Sequence, residues 1–333
     1  MKIKKTIPLV VAGAIIVVVW GHVCNAEEAM NGLYFDKAAS THRLEGHLRL
    51  LTETIGPRSV LHWDGHGRAR DAIFQFFDGL GLRPTLETYD YEGRAVSNVI
   101  AEIKRGAHPS RRFLVGAHYD TVFGTVGADD NASGVAVLLE LATVLRQNRA
   151  LLDEERVIRL VAFALEEPPV FSTRFMGSKV HARAMKANRE GLEGMICLEM
   201  VGYTCHQQGC QSYPFPLNWM GYPKSGDFIG IVGNRPSRRF TASLVAAFNN
   251  NPALPTVSLS VPFNGWLTPA IRLSDHASFW DHGFKAVMIT DTAFYRNPHY
   301  HLASDTMATL DIGFMAELVR SLLIFFTAPD PPR

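Results

Sequence analysis

Two hydrophobic periods take turns along the chain. THRLEGHLRLLTETIG sets Leu44, Leu48, Leu51 and Ile55 at helical spacing, and Gly56-Pro57 then stops the pattern. A second helix is expected from about Gly67 through Phe77, ending at Gly79 to Gly81. SNVIAEIKR and RRFLVGAHYD read as strands, the second with the unbroken FLVGA run of a strand covered on both faces. GVAVLLELATVLRQN follows as a helix and VIRLVAFALEE as a buried strand. GMICLEMVGY, DFIGIVG and FKAVMIT are three more strands, with FTASLVAAFNN and FMAELVRSLLIFF as helices. Buried strands alternating with covering helices predict an α/β fold: one three-layer sandwich, a mostly parallel mixed β-sheet with helices on both faces. Internal repeats and low-complexity segments are absent from the sequence.

The first 26 residues break this rhythm. They hold three lysines, no acidic residue and an apolar run from Ile7 to Trp20, with a small-x-Ala site at Cys24-Asn25-Ala26. That is the make-up of a secretory signal peptide, so residues 1–26 are expected to be a leader, 27–328 a single catalytic-size domain and 329–333 a tail. An uncleaved N-terminal anchor is the competing reading, and only it brings the chain to a membrane. Export to the periplasm or the medium is the expected localisation.

Composition narrows the class further. With 47% hydrophobic residues and 20% charged, the chain is not a disordered one. The 33 basic residues against 32 acidic give no electrostatic reason to expect nucleic acid as a partner, and losing the leader's lysines tips the balance slightly negative. Three of the four cysteines lie beyond the leader. Cys205 and Cys210 suit a local disulfide in an oxidising compartment, with a zinc site using His206 as the alternative; Cys197, in the run MICLEM, reads as a buried small hydrophobe.

Chemistry gathers where the strands end, the edge at which open α/β sheets bind ligands. FLVGA runs into His118-Tyr119-Asp120, and a Gly-punctuated loop then leads to Asp129-Asp130-Asn131 at the start of a helix. VAFAL runs into Glu166-Glu167, MICL into Glu199, and a late loop carries Tyr300-His301. Each alone has an ordinary explanation as a cap, a solvated pair or a structural histidine. Together they deliver nitrogen and oxygen ligands from four places toward one sheet edge. Imidazole with carboxylate suits zinc, and carboxylates in excess suit two metals sharing an aspartate. Two such ions activate a water and polarise a carbonyl, while one carboxylate stays free to take a proton. Neighbouring side chains at a strand end diverge, so of Glu166 and Glu167 one can ligate and the other act as base.

The segments GAHYDTVFGTVGADDNASGVAVLLELA, LVAFALEEP, CLEMVGY, SDHASFWDHGFKAVMITDT and NPHYHLASDT, in that order, resemble the M28 family of zinc aminopeptidases. The resemblance covers about residues 42–325. It implies that His118 and Glu199 bind one Zn2+, that Glu167 and His301 bind the other, and that Asp130 bridges the two. Asp130 is preferred to Asp129 because the family's bridging residue directly precedes the NASG turn. His301 is preferred to His299 because the family's ligand stands four residues before Asp-Thr, here Asp305-Thr306. It further implies Glu166 as general base, Asp120 as the carboxylate orienting His118, and Tyr300 as a donor to the developing oxyanion. Asp275-His276 reads as scaffold near the site.

The implied substrates are peptides with a free N-terminus. Glu199 stands where many secreted bacterial members have Asp and carboxypeptidase-like relatives have Glu. Three alternatives remain open. One is a glutaminyl cyclase, which uses a single zinc. Another is a carboxypeptidase-type hydrolase holding a terminal carboxylate with Arg174, Arg272 or Arg296. The last is a non-catalytic binding module. Aromatic residues between Thr204 and Lys224 are expected to line the side-chain pocket.

Overall fold

The unbroken apolar run beginning at Phe113 forms β3 (Arg111–His118), and the sheet grows outward from it with parallel neighbours on both sides. The computed structural model describes residues 32–215 and 217–329, so the expected leader and all but the first residue of the expected tail lie outside the described residues. Its eight strands include β1 (Thr85–Tyr91), β2 (Arg94–Lys104), β4 (Arg156–Phe163) and β5 (Gly194–Glu199). The others are β6 (Ile229–Asn234), β7 (Thr256–Val261) and β8 (Ala286–Thr290), and the order across the sheet is β1-β2-β4-β3-β5-β8-β6-β7. The pairs β3/β4, β3/β5, β5/β8 and β6/β7 are parallel; β1/β2, β2/β4 and β6/β8 are antiparallel. The sheet is therefore mixed and mostly parallel, as its apolar strands imply.

Helices cover both faces. On one side lie α1 (Lys37–Arg49), α2 (Trp63–Gly79), α3 (Gly134–Gln147), α5 (Arg238–Phe248) and α7 (Ile312–Thr327), which share a core with Val115, Ile158, Ile196 and Ile289. On the other lie α4 (Gly177–Ala187) and α6 (His276–Asp281), packed with Leu114, Val161, Phe163 and Cys197. The alternation of these core sets along β3 and β5 is the period-two signature of strands buried on both sides. Asp36 and Asp311 cap α1 and α7 by accepting the amides of Ala39 and Phe314. Among the described residues no helix is long and apolar enough to cross a membrane.

Five elements differ from the sequence reading, and one of them, α4, was not expected because GSKVHARAMKA offers only Val180 and Met185 as large apolar residues. Helix α2 starts at Trp63, ahead of the expected Gly67, because Gly65 is a packing residue here: a Cβ on it would overlap the Pro57 carbonyl. The edge strands β1 and β7 were not expected, since TLETYDY and TVSLSV are half exposed and mix polar residues with apolar ones. Helix α6 is six residues long, too short to display a period.

Arg58 binds the loops together. Completely buried, it donates to the carbonyl oxygens of Leu51, Gly56, Tyr119, Val126 and Gly127 at 2.8 to 3.1 Å. Burial pulls its guanidinium down to about 10, against the charges of Asp120, Asp305, Asp130 and Glu167.

Gly177, the first residue of α4, lies against the end of β4, where a Cβ would overlap the Asn98 amide oxygen and the Ala164 backbone. Gly177→Ala is expected to cost about 1–3 kcal/mol by overpacking. Chemical denaturation checks this; an unchanged midpoint would show that the contact relaxes freely.

Candidate metal centre

Because β3, β4 and β5 run parallel, their carboxyl ends reach the same edge. His118 is the last residue of β3 and Glu199 the last of β5. Glu166 and Glu167 follow β4 after Leu165, whose φ of 57° turns the chain sharply at the strand end. Asp130 comes from the irregular turn that precedes α3, and His301 from the loop between β8 and α7.

These side chains converge. His118 Nε2 lies 3.3 Å from Asp130 Oδ1 and 3.4 Å from Glu199 Oε2. His301 Nε2 lies 3.1 Å from Asp130 Oδ2 and 3.5 Å from Glu167 Oε2. The two oxygens of Asp130 thus face two different imidazoles, each beside a further carboxylate. Three ligand groups result, each with its ligand atoms within 4.8 Å of one another: His118, Asp130 and Glu199; His301, Asp130 and Glu167; and His118, Glu166 and Glu167. Glu166 approaches His118 Nε2 at 3.9 Å. Asp129 points elsewhere, accepting from Gly202 N at 2.9 Å and Asn297 Nδ2 at 2.6 Å, and His299 is paired with Ser304. The structure therefore places Asp130 and His301, and not their neighbours, in the cleft.

Packed acids set the electrostatics. Burial raises Glu166 well above the usual carboxylate range, and Glu167 and Glu199 reinforce it. Burial and Asp130 push Glu167 up to about 8. Burial works against both imidazoles, yet the facing carboxylates overcome it: Glu199 and Glu166 lift His118, and Asp130 and Glu167 lift His301 to about 10. Asp130 goes the other way; burial opposes its ionisation, but the facing imidazoles of His118 and His301 hold it well below the ordinary value.

A second layer holds the ligands in place. Asp120 lies 3.3 Å from His118 Nδ1 and accepts the backbone amides of Glu166 and Glu167 at 3.0 Å each, so one carboxylate orients the histidine and both glutamates. Ser274 donates to Glu199 Oε2 at 2.6 Å, and Val122 N to Glu167 Oε1 at 3.1 Å. Asp305 accepts the amides of Asp129 and Asp130 at 2.8 and 3.1 Å. Sequence reasoning did not single out Ser274 or assign a role to Asp305; a carboxylate that binds amides 175 residues away leaves no local signal. Asp275 is buried one residue from Ser274, and His276 donates from Nε2 to the Ile271 carbonyl at 2.7 Å, in keeping with a scaffold role.

The donor set fits zinc. Both ring nitrogens of His118 are buried without a well-formed hydrogen bond, although three carboxylates stand within 4 Å of Nε2. Nitrogen and oxygen donors at that spacing, backed by hydrogen-bonded carboxylates, match what a zinc ion asks of its ligands.

Beside Glu199 and Tyr300 opens a mostly apolar cavity of about 850 Å³, counting the part open to solvent. Tyr213, Pro214, Leu217 and Tyr222 form one wall, which puts part of the aromatic stretch between Thr204 and Lys224 where it was expected. Cys205 and Cys210 are joined in a disulfide, and Cys197 is free and buried. Of the arginines considered for a terminal carboxylate, Arg296 is buried and bonded to Gln211, and Arg272 is bound to Asp281 and Asn264. Arg174 is exposed, its guanidinium over the Phe175 ring.

Comparison with known proteins agrees with this picture. Residues 98–325 match the family described as Peptidase family M28. "Uncharacterized protein YfbL" of Escherichia coli (strain K12) is 39% identical over 294 residues, covering 86% of this chain and 87% of the relative. A "Probable leucine aminopeptidase" of Trichophyton verrucosum (strain HKI 0517) is 26% identical over 240 residues, 69% of this chain but 56% of the relative, so the chain spans little more than half of that fungal protein. The structure of BSAP, a zinc aminopeptidase from Bacillus subtilis, aligns with a TM-score of 0.63 and 15% identity over 88% of this chain and 94% of that one. Tannerella forsythia glutaminyl cyclase aligns with a TM-score of 0.62 and 18% identity over 89% and 99%. At these identities the structural likeness establishes the fold, an α/β sandwich.

Zinc added to metal-free protein is expected to raise the unfolding temperature, by an amount equivalent to about 2.7 kcal/mol at a hundredfold excess over Kd. Asp130→Ala removes the donor shared by the His118–Glu199 and His301–Glu167 groups and is expected to lose most of that rise. Differential scanning calorimetry reads both, and an equal rise in the variant would show that zinc binds elsewhere.

Proposed function

The chain belongs to peptidase family M28, and from that premise we propose that it is a two-zinc exopeptidase that removes the N-terminal residue of peptides, with Glu166 moving the proton. The observation that carries this reading is Asp130, whose two oxygens each face a separate imidazole at 3.3 and 3.1 Å. His118 and Glu199 would hold one ion, Glu167 and His301 the other. Zinc in such a site supplies Lewis-acid polarisation and makes water acidic enough to be deprotonated near neutrality.

The protein's own residues divide the remaining work. Glu167 and Glu199 are tethered by Val122 and Ser274, as ligands need to be, whereas the Glu166 carboxylate accepts no hydrogen bond among the described residues. Untethered and 3.9 Å from His118 Nε2, Glu166 is placed to take a proton from the attacking water and return it to the leaving amine. Asp120 fixes its backbone through the Glu166 amide. Tyr300, stacked on His301 with ring centroids 3.7 Å apart, keeps its proton because burial and nearby carboxylates raise its pKa, and its hydroxyl serves as donor to the oxyanion. The substrate's free α-amino group is drawn to the carboxylate-rich cleft, and the neighbouring cavity takes its side chain.

Two alternatives are less well supported. A one-zinc cyclase has no need of the second imidazole-carboxylate pair, His118 with Glu199. A carboxypeptidase would look to Arg174, Arg272 or Arg296; Arg296 and Arg272 are committed to internal partners, and Arg174, exposed over the Phe175 ring, does not line the cavity beside Glu199. The disulfide supports the proposal that the protein works in an oxidising compartment, the periplasm or the medium, either free or held by its N-terminal segment.

Glu166→Gln is expected to retain two zinc ions per chain by elemental analysis while kcat on aminoacyl-nitroanilides falls at least ~100-fold. Normal turnover by that variant would remove Glu166 as the base. Cyclisation of N-terminal Gln by wild type, with no release of free amino acids, would favour the cyclase instead.

A further inference from the structure

The cavity beside Glu199 is not a local hollow. It follows the strand register. Glu199 pairs with Thr290 of β8, Thr290 with Gly230 of β6, and Gly230 with Val257 of β7. All four line the cavity, so its floor is one row of residues running across four adjacent strands, from a candidate metal ligand to the edge of the sheet. Three interstrand spacings make that row about 14 Å long. A leucine, phenylalanine or tryptophan side chain placed at the Glu199 end fills only the first part. The next row, Met288, Val232 and Leu259, continues the apolar surface alongside, and Leu217 and Ile271 stand in the walls. At the far end Val257 and Leu259 are only half buried, because β7 is an edge strand, so the channel opens there.

We infer that this channel admits N-terminal residues whose apolar side chains are longer than those of the twenty standard amino acids, and that Gly230 is the residue that keeps it open. The inference rests on the aminopeptidase reading and adds the substrate class: peptides that begin with an α-amino acid bearing a long unbranched alkyl chain. Gly230 stands midway along the floor. Nothing about its backbone demands glycine, for it lies in a regular strand without a positive φ, and a Cβ there would meet the Thr290 carbonyl at 3.2 Å and the methyl groups of Thr290 and Thr292 at 3.7 and 3.8 Å. Any larger side chain would rise from the floor and divide the channel. Glycine in a strand forgoes packing and backbone order, and close passage of another molecule is one reason to find it there.

The test is a homologous series of aminoacyl-nitroanilides, alanyl, leucyl, norleucyl, α-aminooctanoyl and α-aminodecanoyl, hydrolysed by the zinc-loaded full chain. Each methylene that enters the channel leaves water, so kcat/KM is expected to keep rising beyond norleucyl, by at least ~10-fold to α-aminodecanoyl. Gly230→Val is expected to abolish the gain beyond norleucyl, read as the ratio of kcat/KM for α-aminodecanoyl to that for alanyl within the variant. Val257→Trp, at the other end, is expected to spare leucyl and norleucyl and to reduce α-aminodecanoyl alone. A maximum at leucyl with a fall for longer chains overturns the inference while leaving the aminopeptidase reading standing. So does a Gly230→Val variant that loses all five substrates equally. If no member of the series is hydrolysed, the aminopeptidase reading fails and the channel assignment fails with it.

Discussion

Buried carboxylates repel one another and lose hydration, and this cleft confines four of them, Asp130, Glu166, Glu167 and Glu199, around two imidazoles. Such a cluster is tolerable only beside strong positive charge. Without a metal the histidines supply it, which is why both imidazole pKa values rise in spite of burial. Dications do the same more completely and leave the histidines neutral as ligands. Everything around the site reflects that constraint: Asp120 and Asp305 take backbone amides, Ser274 and Val122 donate to individual oxygens, and Arg58 holds the loop between His118 and Asp130 by its carbonyls.

The same parallel strands that gather the ligands also shape what lies beside them. β5 ends in Glu199, a candidate ligand, and the strands beyond it carry the cavity floor, so the proposed catalysis and side-chain selection would share one sheet edge. The wall formed by Tyr213 to Tyr222 is anchored from outside the sheet, with Cys205 bridged to Cys210 and paired to Gly226, and Gln211 bonded to Arg296 and Thr292. That arrangement explains why Arg296 is unavailable to a substrate: its charge is spent tying this loop to the segment that follows β8.

Much of this was readable in the residues. Central strands such as β3 and β5 announce themselves because burial on both faces forces unbroken apolar runs, and α3 and α7 because their apolar stripes are long. The edge strands, α4 and α6 escaped notice, since an exposed edge permits polar residues, α4 shows only two large apolar residues, and the six residues of α6 hold less than two helical turns. His118, Glu166, Glu167, Glu199, Asp130 and His301 were all identifiable, each standing at a strand end or in a motif shared with the family.

The chain by itself determined the order of the central strands and the long helices, the identity of the residues that meet at the sheet edge, and the family, because these follow from local periodicity and from short motifs. Only the tertiary structure decided how Asp130 divides its oxygens between two imidazoles, that Asp305 and Ser274 hold the ligands, and that Glu199, Thr290, Gly230 and Val257 form one row. These are relations between residues far apart in sequence, fixed by strand register and by hydrogen bonds across the fold, and no local pattern encodes them.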